Sequence, residues 1–254
     1  MFQEERLQKI GEMVKQKRFC SFSQICSGFD ISKATARRDL KTLEERNVLC
    51  MTRGGAKDIA TGTTHEPPYL VKKNINPEEK VRIAHMACSY IKCGETIILD
   101  SGTTALEMAG VLQSMNGITV ATNDILVACK LATAKDIDLI VIGGGIRKNY
   151  YTTIGYFAKL TLEYINADKA FIGVDALDVK KGCMITNIEE IITKKLMMKS
   201  AKEKIVICDH SKFENVAFMN LCTVNEIDMI ITGSELDKEI YSQFVDAGIN
   251  IILA

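Results

Sequence analysis

The regular alternation of short apolar runs with helical patterns, over most of the chain, constrains the fold more than any other feature. The apolar runs that indicate strands are residues 96–99, 118–121, 139–142, 170–174, 205–208, 229–232 and 249–253. The helical patterns are residues 78–92, 104–112, 125–132, 156–165, 188–201 and 238–245. Continuous Val and Ile runs joined by crossover helices indicate a parallel sheet that is covered on both faces. We therefore predict a doubly wound, Rossmann-like α/β domain over residues 78–254.

Polar residues directly follow five of these predicted strands. In an open α/β sheet the ligand binds outside the carboxyl ends of the strands, so these residues would share one edge. They are Asp100, Ser101, Gly102, Thr103 and Thr104 after the first strand, Asn123 after the second, Gly143 and Gly144 after the third, Asp175 after the fourth, and Asp209 and Lys212 after the fifth. Glycines, hydroxyls, carboxylates and a lysine at one edge predict a pocket for a polar, anionic ligand.

The segment from Asp100 to Thr104 admits two interpretations. Gly102 allows a tight turn, after which the first N–H groups of the next helix point at whatever lies in the turn. Such a helix end suits a phosphate, to which Ser101 and Thr103 add hydroxyls. The alternative is an ordinary strand-to-helix turn with a Ser or Thr cap. The other polar residues expected at this edge favour the anion site. Asp100 itself would repel a phosphate, so we expect it to bind a sugar hydroxyl or to fix the turn.

The charge distribution separates the first 57 residues from the rest of the chain. Those residues carry 12 Lys and Arg against 7 Asp and Glu, a net charge of +5, whereas the remainder carries 20 against 25, a net charge of −5. A small basic module attached to an acidic body indicates a polyanionic partner for the module.

Helical patterns dominate this basic module. The first predicted helix has Leu7, Ile10 and Val14 at helical spacing. A second, short helix covers residues 23–27, and Gly28 is its predicted C-cap. A third helix follows, running to about residue 45.

The third helix carries the clearest nucleic-acid signal. Its buried stripe is Ala36, Leu40 and Leu43, and the opposite face is basic toward the N-terminal half. The second helix of a helix-turn-helix enters the major groove in this way. The candidate DNA-binding residues are the N-cap Ser32, then Lys33, Thr35, Arg37, Arg38 and Lys41. The alternative interpretation is a basic face that is merely solvated.

A basic hairpin is predicted over residues 47–57, with Arg53, Gly54 and Gly55 at its tip. Such a wing can contact the DNA backbone or the minor groove, so it favours DNA binding over a solvated face. Pro and Gly residues without clear periodicity then mark residues 58–77 as a linker. The predicted organisation is a winged helix-turn-helix domain over residues 1–57, the linker, and an α/β effector-binding domain over residues 78–254.

Motifs along nearly the whole chain resemble the DeoR family of transcriptional regulators. In the first domain the matching residues are Ser32-Lys33-Ala34-Thr35-Ala36-Arg37-Arg38-Asp39-Leu40, Leu43-Glu44 and Arg53-Gly54-Gly55-Ala56. In the body they are Glu79-Lys80, Ile83-Ala84, Asp100-Ser101-Gly102-Thr103-Thr104, Thr122-Asn123, Gly143-Gly144, Ile154-Gly155, Gly173-Val174-Asp175 and Asp209-His210-Ser211-Lys212-Phe213. The chain departs from the family pattern at Ala36, where Ile is common, and at Gly233, where Asp is usual.

The resemblance implies a DNA-binding regulator, by default a repressor of sugar-metabolism genes, whose effector is a phosphorylated sugar. It also implies a body similar in fold to ribose-5-phosphate isomerase. We expect a homo-oligomer that binds a repeated or palindromic double-stranded DNA operator. Effector binding would shift the population of arrangements that fit the operator. Release of a repressor is the default expectation, and corepression and activation stay open.

The similarity to an isomerase raises an enzymatic alternative. The groups that could act as acid or base are Asp175, Asp178, Asp209 and Lys212. The isomerase family has a Gly-rich segment followed by a catalytic Lys and Glu, and residues 180–184 lack that glycine run. Glu189, Glu190 and Lys194 have the spacing of a solvated helix face. We therefore predict no catalytic residue and no cofactor. A scaffold that only oligomerises is the third alternative.

Composition argues against several other classes of protein. No apolar run approaches the roughly 18 residues of a membrane helix, and the charged N-terminus lacks the apolar core of a signal peptide. We therefore expect a cytoplasmic protein with no membrane partner. The nine cysteines are scattered and the three histidines are isolated, so neither a disulfide framework nor a metal site is expected. Reduced, mostly buried thiols are predicted.

Overall fold

The computed structural model of the protein describes residues 2–17, 19–46, 48–58 and 62–254. The chain divides into two compact units, Met1–Lys72 and Lys73–Ala254. Three parts of the predictions lie outside the described residues: Arg18 near the end of the first helix, Asn47 at the start of the hairpin, and residues 59–61 of the linker.

The first unit is a small helical domain with a three-stranded sheet. Its elements are α1 (Gln3–Lys17), β1 (Phe19–Ser21), α2 (Phe22–Phe29), α3 (Lys33–Glu45), β2 (Leu49–Thr52), β3 (Gly55–Asp58) and α4 (Tyr69–Asn74), the last of which continues into the second unit. The predicted stripes of α1 and α3 are buried together, since Leu7, Ile10 and Leu40 belong to one hydrophobic cluster. The strand order β1-β3-β2 adds the wing, so the unit is a winged helix-turn-helix.

Two details of this unit differ from the prediction. Helix α2 is longer than residues 23–27, because a capping box between Ser21 and Gln24 starts it earlier. Gly28 lies inside α2, and Asp30 is the C-cap, with the left-handed backbone (φ 50°) that Asp tolerates better than most residues. Strand β1 was not predicted because it is only three residues long.

The second unit alternates strands and helices as predicted. Its elements are α5 (Pro77–Ser89), β4 (Thr96–Leu99), α6 (Thr103–Leu112), β5 (Ile118–Thr122), α7 (Ile125–Leu131), β6 (Ile137–Val141), β7 (Gly145–Ile146), β8 (Thr153–Ile154), α8 (Tyr156–Glu163), β9 (Ala167–Ile172), β10 (Ala176–Asp178), β11 (Gly182–Ile185), α9 (Ile191–Lys199), β12 (Ala201–Ile207), β13 (Met219–Cys222), β14 (Met229–Thr232), α10 (Lys238–Asp246) and β15 (Ile251–Leu253). A seven-stranded sheet has the order β15-β14-β12-β9-β4-β5-β6, and every neighbouring pair is parallel.

Helices cover both faces of this sheet, which confirms the doubly wound α/β prediction. Alternate residues of β4 enter different clusters, because successive side chains of a strand point to opposite faces. Ile97 and Leu99 pack with the residues of α5, α6 and α7, and Ile98 packs with those of α8, α9 and α10.

Two small sheets escaped the sequence prediction. Strands β10, β11 and β13 form an antiparallel sheet, and β7 pairs with β8 in a short hairpin. These strands are short, and they fall in stretches of the chain where no apolar run stands out. In the chain, β7 and β8 follow β6, β10 and β11 follow β9, and β13 follows β12, so these strands lie after the carboxyl ends of sheet strands, where the candidate site is expected.

Candidate DNA-reading helix and effector-binding edge

The predicted basic face of α3 is exposed. Lys33, Arg37, Arg38 and Lys41 are all exposed, whereas Thr35 is half-buried. The Lys33 ammonium lies 5.8 Å and the Arg37 guanidinium 5.7 Å from the ring centroid of Phe22 on α2, within cation–π range. The face is therefore partly ordered before any DNA binds.

Ser32 acts as the helix cap in this structure. Its Oγ accepts a hydrogen bond from the Thr35 backbone N–H at 3.1 Å and lies 3.0 Å from the Thr35 hydroxyl. The cap fixes where α3 begins, and thereby which side chains its first turn presents.

A buried ion pair fixes the other face of α3. Asp39 is 1% exposed, and its carboxylate accepts from Arg6 Nε of α1 at 2.7 Å and from Nη2 at 3.3 Å. The pair joins α1 to α3, so Asp39 of the Arg37-Arg38-Asp39 run orients the helix while its neighbours face outward.

The wing tip consists of Arg53 and Gly54, which are exposed. The Gly54 carbonyl accepts from the Phe22 N–H at 3.0 Å, so the tip is held against the start of α2. Gly55 does not belong to the exposed tip, contrary to the prediction. It is buried, and a Cβ there would lie 2.0 Å from the Cys20 carbonyl oxygen, so the glycine permits close packing of β3 on β1.

Asp100 lies at the carboxyl end of β4 and is completely buried. Its Oδ2 accepts from the Gly173 N–H at 3.0 Å and forms an ion pair with Lys194. Its Oδ1 has no hydrogen-bond partner among the described residues. The Oδ2 atom therefore ties the end of β4 to Gly173 and to Lys194, and neither contact lies within the Asp100–Thr104 turn.

Helix α6 begins without the Ser or Thr cap that the alternative interpretation required. Its N-cap is Gly102 (φ 132°), and no side chain of the described chain caps it. Thr103 and Thr104 are buried, and Ser101 is half-buried. The first turn of α6 thus offers its N–H groups to the space over the loop.

The end of β5 adjoins this loop. Asp124 caps α7 by accepting from the N–H of Leu126 and Val127, and its Oδ2 also accepts from the Gly102 N–H at 3.1 Å. Burial raises the pKa of Asp124 above its ordinary value despite these three N–H donors. Asn123 is 1% exposed; its amide donates to the Thr153 carbonyl at 3.3 Å, and its Oδ1 has no partner among the described residues.

Lys194 and Glu190 were assigned to a solvated helix face, and this prediction is wrong. Lys194 is 4% and Glu190 is 8% exposed. Lys194 pairs with Asp100 and donates to the Gly173 carbonyl at 3.1 Å, and Glu190 pairs with Arg147 at 2.6 Å. Burial alone would lower the pKa of Lys194, but the carboxylates of Asp100 and Glu190 outweigh it and raise that pKa.

The remaining predicted residues of this part of the edge have structural contacts. A Cβ at Gly144 (φ 155°) would lie 2.4 Å from the Ile154 carbonyl oxygen, so this glycine permits the close approach of the chain to β8, whereas a Cβ at Gly143 would meet nothing within 4 Å. Asp175 Oδ2 accepts from the Thr186 N–H at 2.8 Å, which ties the start of β10 to the end of β11.

Asp209 and Lys212 follow β12, two strands away from β4 in the sheet. Asp209 is 1% exposed, and its Oδ1 accepts from the Asn76 amide at 3.0 Å and from the Ser211 N–H at 3.1 Å. Burial alone would raise the pKa of Asp209, but the charges of Lys212 and Lys80 and the hydrogen bonds from the Ser211 hydroxyl and the Asn76 amide outweigh it, so the pKa lies below its ordinary value.

A third group of charged side chains lies next to Asp209. One oxygen each of Glu79 and Glu235 and one ring nitrogen of His210 lie within 4.8 Å of one another. Glu79 accepts from the N–H of His210 and of Gly233, and Glu235 accepts two bonds from Arg82 at 2.5 and 2.7 Å. Hydrogen-bond donors of the chain thus already occupy both carboxylates.

Comparison with known proteins identifies the two units. Residues 6–61 match the family model of the DeoR-like helix-turn-helix domain, and residues 75–234 match that of the DeoR C terminal sensor domain. The chain is 35% identical over 248 residues to the HTH-type transcriptional repressor GlcR of Bacillus subtilis (strain 168), covering 97% of this chain and 94% of that protein.

The chain belongs to the DeoR family of transcriptional regulators. It is also 33% identical over 246 residues to the lactose phosphotransferase system repressor of Lactococcus lactis subsp. lactis, covering 96% of each chain. Family and relatives are DNA-binding regulators, so this chain is a regulator rather than an enzyme.

Among solved structures, the chain is similar to ribose 5-phosphate isomerase A from Methanocaldococcus jannaschii, with a TM-score of 0.41 and 19% identity over 54% of this chain and 55% of that one. It is similar to eIF2B beta from Chaetomium thermophilum, with a TM-score of 0.48 and 15% identity over 67% of this chain and 53% of that one.

Further structural observations bear on the remaining predictions. All nine cysteines are free; five are buried, whereas Cys93 and Cys129 are exposed.

No helix of the described residues is long and apolar enough to cross a membrane. Sequence reasoning missed Glu190 and Lys194, because buried charges near a helix have the same spacing as solvated ones, and it missed Arg147, which lies in the connection between β7 and β8.

Proposed function

We propose that this DeoR-family regulator represses genes of carbohydrate metabolism, and that a phosphorylated sugar bound at the sheet edge controls its operator binding. The names of relatives support the metabolic part, since one is the lactose phosphotransferase system repressor. We further propose that it acts in the cytoplasm as a homo-oligomer, because paired winged units fit a palindromic or repeated operator.

The observation that carries the effector proposal is that hydrogen-bond donors and acceptors available to a ligand occur together at the ends of β4 and β5. The N–H groups at the uncapped start of α6 suit a phosphate, especially with the positive end of the helix dipole. Beside them, Asp100 Oδ1 and Asn123 Oδ1 are buried acceptors without a partner among the described residues. Burying such an oxygen unpaired costs free energy, which a hydroxyl donor would recover.

This combination favours a sugar phosphate over a simple anion. Inorganic phosphate would use the N–H groups but would bring few donors for the two buried acceptors. A ligand that carries a phosphate and several hydroxyls uses both sets of groups. In this proposal Asp100 has two roles: its Oδ2 holds Gly173 and Lys194 in place, and its Oδ1 is available to a hydroxyl donor.

Thermal-shift measurements test the effector proposal. The panel contains ribose-5-phosphate, glucose-6-phosphate, glycerol-3-phosphate and inorganic phosphate, added to wild type and to Ser101→Asp. Ser101 is half-buried, so the charge enters the loop with less disturbance than at the buried Thr103. At a ligand concentration 100-fold above Kd, binding adds about 2.7 kcal/mol to the stability of the native state.

We expect at least one sugar phosphate to raise the Tm of wild type well beyond the effect of inorganic phosphate, and to leave Ser101→Asp unshifted. The matched control is Ser23→Asp, which adds the same charge to an exposed position in the first turn of α2. A shift that persists in Ser101→Asp would place the anion site elsewhere.

A further inference from the structure

Two side chains at the start of α5 bind the loop that follows β12. The Asn76 amide donates to Asp209 Oδ1 at 3.0 Å. Glu79 Oε1 accepts from the His210 N–H at 2.7 Å, and Glu79 Oε2 lies 2.7 Å from His210 Nδ1. Three polar contacts thus join a predicted effector residue and its neighbour to the beginning of the sensor unit.

Asn76 and Glu79 lie just after the boundary between the two units, at the start of α5. The first unit ends at Lys72, and Asn76 is the N-cap of α5, the first helix that lies wholly in the second unit. Asn76 has a left-handed backbone (φ 48°), so the chain turns sharply there. Asn76 thus lies four residues after the end of the first unit, on the segment that leads to the DNA-binding unit.

Glu79 is buried and held by several hydrogen bonds. It is 3% exposed and accepts a further bond from the Gly233 N–H at 3.2 Å. A Cβ at residue 233 would lie 2.3 Å from Glu79 Oε1, so Glu79 can occupy this position only because residue 233 is glycine. The departure from the family's usual Asp at 233 therefore matters for the placement of Glu79.

Charge links the same loop to the proposed ligand. Lys212 is the cation that most offsets the burial of Asp209. An anionic ligand that engages Lys212 would weaken its attraction for Asp209, and the Asp209 carboxylate would then hold Asn76 and the His210 segment differently.

We propose that Asn76 and Glu79 form the connection through which the effector-binding edge controls the segment leading to the DNA-binding unit. This inference rests on the proposed effector function. Asn76 and Glu79 act here through Asp209 and His210 and need not touch the ligand. Removing the connection should therefore uncouple the two sites while leaving each site able to bind its own partner.

Two variants break the connection in different ways. Glu79→Gln removes the charge that faces His210. Gly233→Ala keeps every charge but places a methyl group where the Glu79 carboxylate lies. The matched control is Glu78→Gln, which makes the same change one residue earlier, at an exposed position of the same helical turn.

The first measurement compares operator affinity with and without the sugar phosphate that shifts the wild-type Tm. We expect wild type and Glu78→Gln to respond by about fivefold or more. Glu79→Gln and Gly233→Ala should bind the operator and the sugar phosphate with affinities near those of wild type. Their operator affinity with the sugar phosphate, divided by that without it, should however be close to one. A full response in both variants, or loss of sugar-phosphate binding itself, would overturn the connection.

The second measurement needs no ligand and separates this inference from the effector proposal. Lys212→Met removes the charge that lowers the pKa of Asp209, and we expect it to change operator affinity in the wild-type background but not in Gly233→Ala. Lys195→Met, at an exposed position, is the control. If Lys212→Met leaves operator affinity unchanged in wild type, the connection is refuted. A wild type that responds to no sugar phosphate would instead contradict only the effector proposal.

Discussion

Lys194 of α9 and Asp100, the residue directly after β4, form a buried ion pair, with the lysine 4% and the aspartate 0% exposed. The pair lies under the loop that begins α6, and the Gly173 backbone supplies one further bond to each partner. It anchors α9 to the loop of the proposed effector site. A charge pair in this position is costly to break, because either remaining partner would be buried without its counterion.

Removing the lysine should therefore destabilise the protein strongly. We expect Lys194→Met to lower the free energy of unfolding by about 3–5 kcal/mol, measured by urea denaturation. Lys195→Met, the exposed neighbour, should change it by about 0.5 kcal/mol or less. The double variant Lys194→Met, Asp100→Asn should recover much of the loss. A single Lys194→Met variant as stable as Lys195→Met would show that the pair contributes little.

The sequence could predict the sheet but not this pair. Long apolar runs and crossover helices specify a doubly wound sheet, because each run needs burial on both faces. The spacing of Glu190 and Lys194 is equally compatible with a solvated face. Only the packing of α9 against β9 and β12 shows that this face is turned inward. The short strands β7, β8 and β10 escaped prediction because local patterns of two or three residues carry little information.

The exposed basic face of α3 was largely predictable, because helix caps and buried stripes are local features. The position of Gly55 was not, since its role depends on a strand that is distant in sequence. The sequence does not distinguish Gly54 from Gly55. In the structure, a Cβ at Gly54 would meet nothing within 4 Å, whereas one at Gly55 would lie 2.0 Å from the Cys20 carbonyl oxygen.

This contrast gives a matched pair of variants in the wing. Gly55→Ala should destabilise the first unit by about 1–3 kcal/mol or more, because β3 cannot separate from β1 without losing its ladder. Gly54→Ala should leave the stability within about 0.5 kcal/mol of wild type. Thermal unfolding followed by circular dichroism measures both. Equal stability of the two variants would contradict the close approach of β1 and β3.

The exposed arginines of α3 should carry operator recognition. Arg37→Ala and Arg38→Ala should each lose about 1–3 kcal/mol of specific operator binding if the side chain reads a base. A side chain that contacts only phosphate should instead weaken binding to all sequences and reduce the salt dependence. Lys15→Ala, exposed on α1, serves as the control. Fluorescence anisotropy on operator DNA that shows wild-type affinity for both arginine variants would exclude α3 as the reading helix.

Asp209 and Asp124 should respond to pH in opposite directions. The pKa of Asp209 lies below its ordinary value of 3.8, so its stabilising contribution is present above that value and is lost as the pH falls through the folded-state pKa. The pKa of Asp124 lies above 3.8, so its contribution is present below 3.8 and is lost as the pH rises through the folded-state pKa.

Urea denaturation of Asp209→Asn and Asp124→Asn across the acid range measures both effects. The stability advantage of wild type over Asp209→Asn should grow as the pH rises. The advantage over Asp124→Asn should shrink, while Asn keeps the cap of α7. If the stability difference from wild type changed with pH in the same direction for both variants, the surroundings of these two carboxylates would not differ as the structure indicates.

The most direct test of the central claim is the operator affinity of the full chain with and without a sugar phosphate. Fluorescence anisotropy on the DNA upstream of its own gene gives the dissociation constants. We predict that one sugar phosphate changes the wild-type constant by about fivefold or more, that inorganic phosphate does not, and that Ser101→Asp does not respond. An operator affinity that no sugar phosphate alters, or that inorganic phosphate alters equally, would contradict control by a sugar phosphate at this edge.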